Sequence, residues 1–136
     1  MKYLIDTNIC IYIMNKRPIY KKLIHKFKLF KVGEIGVSII TVSKLQYGAS
    51  KSKNYKLNKQ RIKEFLFPLE ILSYDERAAS VYGDIRVQLE KIGKLIGPLD
   101  MLIAAHALSQ DLVLITNNEK EFKQVKDLKV ENWINI

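Results

Sequence analysis

The chain has 136 residues, 48% of them hydrophobic and 27% charged, with a net charge of +9 and a single cysteine. That size suits one domain spanning 1–136 and is too short for two, while the composition excludes a largely disordered chain. One cysteine excludes a disulfide framework or a thiolate metal site and points to the cytosol, and no apolar run approaches the ~18 residues of a membrane span.

In chain order, KYLIDTN is a short apolar run that ends in Asp6, after which polar residues open a helix from Ile9. Asp6 and Asn8 interrupt what would otherwise read as a signal sequence, and Cys10 lies in the apolar run ICIYIM as a buried structural thiol. Residues 18–31 place Ile19, Leu23, Phe27 and Phe30 at helical spacing with lysines between them, an amphipathic helix with a basic outer face. Gly33 to Ser38 reads as a short buried strand, and Ile39 to Ser50 as a helix. The polar region from 48 to 58 is a candidate flexible loop leading into a helix that must stop before Pro68. LEILS is a third strand, and Asp75 caps a long helix reaching Lys94. Gly97-Pro98 starts a helix that is apolar almost all round, LVLIT is a fourth strand, and KVENWI a weaker last one. Apolar strands separated by helices predict an α/β fold, a parallel sheet of four to five strands covered on both faces.

The charge is unevenly placed. Residues 16–63 hold fourteen Lys or Arg against one acid, Glu34, whereas residues 64–136 hold eight bases against twelve acids. A cationic region of that density attracts phosphate backbones, which makes nucleic acid the first partner to consider.

In open parallel sheets ligands bind outside the carboxyl ends of the strands. Asp6 falls there after the first strand, Thr116, Asn117, Asn118 and Glu121 after the fourth, and Asp100 in the first turn of its helix comes to the same edge. Singly, each has a plain structural use as a helix cap, a dipole partner or a turn residue. Together, carboxylates at one rim repel one another and need a cation, and oxygen-only ligands select Mg²⁺ or Mn²⁺. Such an ion beside a basic surface suits phosphodiester hydrolysis. A metal-free alternative would use the two histidines as acid and base. His25 reads instead as a surface residue and His106 as a satisfied core histidine.

Four segments then become recognisable: MKYLIDTNICIYIM, ITVSKLQYGASKS, IGPLDMLIAAHALS and LITNNEKEF. In this order and spacing they resemble the VapC toxins, PIN-domain ribonucleases of toxin-antitoxin modules, nearly end to end. The resemblance implies a PIN-like three-layer sandwich and an acidic pocket holding Mg²⁺ or Mn²⁺. The implied activity is endonucleolytic hydrolysis of RNA, for the members closest in these motifs initiator tRNA in its anticodon loop. It also implies a homodimer and a small antitoxin whose tail obstructs the site while its other end binds operator DNA. By position, Asp6 and Asp100 match the family's metal-binding aspartates. Thr7, Asn8 and Thr116 lie around them, and Asn117, Asn118 and Glu121 match a fourth corner where many relatives have Asp.

Lys44 departs from the pattern. Relatives with the segment ITxxELxYG carry glutamate where this chain has lysine. Ile39, Val42, Leu45 and Ala49 share one helical face, and at 100° per residue Lys44 lies about 150° from its centre, projecting away from that core. Each unit of charge acting on a divalent ion at ~5 Å is worth ~7 kcal/mol at an effective dielectric near 20, and Glu to Lys changes two units. Even after lysine swings toward water, metal binding weakens, and the ammonium can pair with Asp6 or Asp100 in the cation's place. The expectation is a toxin-family endoribonuclease that is inactive or attenuated. The alternative is a catalytically dead protein that captures its antitoxin and assists operator binding. A phospho-acceptor signalling domain, which also puts an Asp at a strand end, fits less well, because Asp6 has no acidic neighbour and LITNN carries no lysine.

Overall fold

The computed structural model describes residues 1–16, 18–31 and 33–134. Its elements are β1 (Tyr3–Ile5), α1 (Thr7–Met14), α2 (Tyr20–Phe27), β2 (Ile35–Ser38), α3 (Ile39–Ser50), α4 (Tyr55–Leu66) and β3 (Glu70–Leu72). They continue with α5 (Glu76–Lys91), α6 (Pro98–Ser109), β4 (Val113–Ile115), α7 (Glu119–Phe122) and β5 (Val130–Glu131). All strand pairings are parallel and the sheet order is β3-β2-β1-β4-β5. The α/β class, the five strands and the helical cover on both faces are as expected from the sequence.

Strand alternation divides the core into two layers. Tyr3, Ile5, Val37 and Ile115 point to the face covered by α1 to α4 and close over Leu23, Leu45, Ile62 and Trp133. Leu4 and Leu114 point to the other face, where Ile85 and Leu89 of α5, Met101 and Ile103 of α6, and Phe122 pack. Trp133 is 2% exposed, stacks on Phe30 at 5.4 Å and meets Tyr3 and Phe27 edge-on. It locks the chain end to α2. Cys10 is buried in the same layer, and burial pushes its thiol far above the ordinary range, as befits a structural residue.

Two local expectations need correction, and one short helix is added. The region 48–58 is no long loop: α3 runs to Ser50, α4 begins at Tyr55, and only a tight turn separates them. Ser52 pins that turn, its Oγ donating to the Ala49 carbonyl at 2.6 Å and accepting from Asn58 Nδ2 at 2.8 Å. The polar composition reflects turn chemistry and an exposed helix face. Residues 119–122 form a single helical turn, α7, directly after the Thr116-Asn117-Asn118 turn. The buried face of α3 is Thr41, Leu45 and Ala49, whereas Ile39 is 39% exposed. Recentred on those residues, Lys44 stands about 100° from the core direction, at its flank.

Candidate active site

The sheet order makes the gap between β1 and β4 the place where the chain reverses its direction of travel across the sheet, the usual ligand crevice of such folds. Asp6 and Thr116 end the two strands on either side of it. The Asp6 amide donates to the Ile115 carbonyl at 2.8 Å, which fixes the two strand ends together. Asp6 caps α1, its Oδ1 accepting from the Thr7 amide at 2.8 Å, and its Oδ2 accepts from Thr116 Oγ1 at 2.8 Å. Asp6 is only 3% exposed. Burial raises its pKa above the ordinary carboxylate value; the bonds from Thr116 and Thr7 oppose that rise, Asp100 adds to it, and Lys44 opposes it.

A polar network extends from this point along the end of β4. Thr116 Oγ1 accepts from the Asn118 amide at 2.9 Å and from Asn8 Nδ2 at 3.4 Å, and Asn8 Oδ1 accepts from the Asn117 amide at 3.3 Å. Asn117 Nδ2 donates to Tyr12 Oη at 3.1 Å, a partner that no sequence pattern marks. Asn117 and Asn118 thus organise the strand end. Glu121 lies apart: its Oε2 accepts from Asn118 Nδ2 at 2.8 Å, and it lines a separate recess with Lys94, Leu95 and Lys120.

Asp100 comes from the second layer of helices. Gly97 precedes α6 and Pro98 occupies its first turn, where a missing N–H is harmless, so Asp100 sits at the positive end of the helix dipole. Facing it is Lys44 of α3, whose Nζ donates to Asp100 Oδ1 at 3.0 Å. The two side chains are 27% and 21% exposed, so the pair is only partly shielded by water. Asp6, Lys44 and Asp100 therefore meet at one rim.

Behind the rim, α3 and α6 are tied by a buried bond. Ser38 Oγ accepts from the Ile40 amide at 3.0 Å, capping α3, and lies 2.7 Å from His106 Nδ1. His106 Nε2 has no hydrogen-bond partner among the described residues, so this core histidine is only half satisfied. His25 is exposed on α2, whereas His106 is buried on α6.

A divalent ion held by oxygens needs several converging lone pairs. Here both Asp6 oxygens already accept hydrogen bonds and Asp100 Oδ1 is held by an ammonium. Among the described residues, no three His, Cys, Asp or Glu side chains gather closely enough to hold a metal. In this arrangement the residues do not fit Mg²⁺ or Mn²⁺.

The family model described as "PIN domain" matches residues 3–128. The chain is 43% identical to Ribonuclease VapC2 of Rickettsia felis over 98% of both chains. The chain belongs to the PIN-domain VapC ribonuclease family. A second relative of this family, the tRNA(fMet)-specific endonuclease VapC of Shigella flexneri, is 38% identical over 98% of both chains. DNA-bound VapBC from Salmonella typhimurium superposes with a TM-score of 0.92 at 37% identity, covering 98% of each chain. The VapC fold thus accounts for the whole sheet order, and no helix among the described residues is long and apolar enough to cross a membrane.

Proposed function

We propose that this VapC-family chain is a toxin-type endoribonuclease whose cleavage step is suppressed by Lys44. The observation that carries this reading is the 3.0 Å ion pair between Lys44 and Asp100. The ammonium stands where the family resemblance puts a glutamate, and it satisfies one of the two aspartates that a metal would use. Mg²⁺ or Mn²⁺ must then displace an internal cation that is never diluted, and the charge added by lysine repels the ion at the same time. Transfer RNA is the substrate class of this reading, because the Shigella flexneri relative is named for tRNA(fMet) and residues 16–63 carry the basic surface an RNA backbone needs.

The partner belonging to this reading is a small VapB-type antitoxin that brings the chain to operator DNA. The DNA-bound VapBC neighbour supports it. Pairing as a homodimer has a ready surface in the edge strand β3, where Ile71 is 44% exposed, and in Phe67 shortly before it, 89% exposed. A purely binding role, antitoxin capture without cleavage, is favoured by the same ion pair, since Lys44 neutralises Asp100 without disturbing the rest of the fold.

The deciding experiment is a ribonuclease assay on tRNA in Mg²⁺ and in Mn²⁺, comparing the chain with Lys44→Glu. Cleavage by the variant at a rate at least tenfold above the parent is the expected outcome, and equal rates would defeat the proposal. Co-purification of the parent with a small DNA-binding protein, without RNA cleavage, selects the binding role.

A further inference from the structure

No Asp or Glu occurs between Glu34 and Glu64, and the α3–α4 corner lies inside that acid-free stretch. At this corner Tyr47 is 67% and Tyr55 50% exposed, so neither ring is used by the core. Lys51, Lys53 and Lys56 are exposed beside them and make no ion pair among the described residues. Lys51 Nζ sits 4.8 Å over the Tyr47 ring, which places a positive charge at an aromatic face.

We propose that the α3–α4 corner docks unpaired RNA, with Tyr47 and Tyr55 as stacking platforms for bases and the three lysines as phosphate contacts. This rests on RNA being the ligand of the fold, and it does not depend on whether the rim can cut. Aromatic rings alternating with cations are the combination by which proteins hold single strands, since each base offers a π-face and each nucleotide a charge. A paired duplex hides those faces, so the corner favours loops.

Two features strengthen the assignment. The turn is tied without any ligand, because Ser52 bridges Ala49 and Asn58 across it. It is also continuous with the rim: Lys44, Tyr47, Gly48 and Lys51 follow one another at helical neighbour spacing along α3, a rise of about 10 Å from Lys44 to Lys51. A cavity of about 220 Å³ lined by Lys44, Gly48, Asn58 and Arg61 opens alongside. Arg61 adds a further cation between the corner and the rim.

The test is fluorescence anisotropy in EDTA, with a labelled RNA hairpin carrying an unpaired loop and, in parallel, a fully paired RNA of equal length. Tyr47→Ala and Tyr55→Ala should each weaken hairpin binding between about fivefold and a hundredfold while leaving duplex binding little changed. Tyr47→Phe and Tyr55→Phe should retain the affinity, and Lys51→Gln should flatten the slope of log K against log salt by about 0.7. Binding of the hairpin by the parent with no loss in either alanine variant overturns the corner as a docking surface but leaves RNA as the ligand. Unchanged hairpin affinity with an altered oligomeric state in Tyr47→Ala assigns the surface to a second copy and overturns the proposal. Failure of the parent to bind RNA at all overturns both this inference and the substrate class.

Discussion

Replacing Lys44 by glutamate should make the stability of this chain depend on a divalent ion. In the parent, Lys44 and Asp100 attract across 3.0 Å, and Asp6 lies close enough for both charges to shift its titration. Two unit charges about 4 Å apart interact by ~4 kcal/mol at an effective dielectric near 20. Losing that attraction and gaining a comparable repulsion would come to ~8 kcal/mol if nothing relaxed. The side chains are about a quarter exposed, and a glutamate can turn toward water, so a loss of ~1–3 kcal/mol is the reasonable expectation. For a domain of this size that lowers Tm by about 4 to 12 °C. Adding Mn²⁺ should restore the loss, because an ion at a hundred times its Kd contributes ~2.7 kcal/mol to the native state. Thermal unfolding of parent and Lys44→Glu, each in EDTA and in MnCl₂, reads all four states. The parent should show no shift with Mn²⁺. An equal Mn²⁺ shift in both proteins would refute the reasoning, since the ammonium would then leave the ion's place open.

The remaining predictions concern the scaffold. Burial holds the His106 pKa below its ordinary value, against the opposing Asp75 charge, so the unfolded chain takes up a proton before the folded one does. The stability this represents is complete above the unfolded value near 6.5 and is lost as pH falls through it toward the lowered folded value; urea unfolding between pH 8 and pH 5 should show the decline, and His106→Asn should flatten it. Trp133→Ala opens a void among Tyr3, Phe27 and Phe30 and should cost ~3–5 kcal/mol, visible as a fall in Tm of more than about 10 °C. Asp75→Ala removes the carboxylate that accepts from the Ala78 amide at 3.0 Å at the start of α5 and should lower stability by ~1 kcal/mol in urea unfolding.

The inner strands β1, β2 and β4 were legible because they are buried and read as apolar runs, whereas the edge strands β3 and β5 are partly exposed and carry Glu70 and Glu131; the long helices were legible because their apolar positions recur at 3.6 residues. Asp75 marks its helix start by chemistry as well as by pattern, its side chain accepting from a backbone amide in the first turn, whereas the Ser38 cap of α3 went unread because the residue also ends β2. What escaped is what depends on side chains meeting across the fold. The flank position of Lys44 was misplaced because Thr41, a polar residue, is fully buried and shifts the centre of the α3 face. The α3–α4 turn looked like a loop because the Ser52 bridge to Asn58 has no periodicity to detect. Asp6 and Asp100 could be assigned to one edge from topology alone, but the separate recess of Glu121 depends on the path of residues 117 and 118, which no spacing encodes.

Charge at the rim links the two proposed roles of the chain. With Asp6, Asp100 and Lys44 ionised, the rim carries −1; with glutamate at 44 it would carry −3. At −3 the carboxylates need an external cation to stay together, whereas at −1 the ammonium serves Asp100, and the Thr7 amide and Thr116 hydroxyl serve Asp6. The parent pocket can therefore hold its shape without metal. The same difference acts on a passing phosphate backbone, which a rim at −3 repels more strongly than one at −1. Lysine at this position should consequently oppose cleavage and favour retention of RNA at once. Lys44→Glu, measured without divalent ion, should bind RNA more weakly than the parent, even though it should be the better nuclease once Mn²⁺ is supplied. Tighter binding by the variant in EDTA would mean that the rim charge does not reach the bound strand, and the two roles would have to be explained separately.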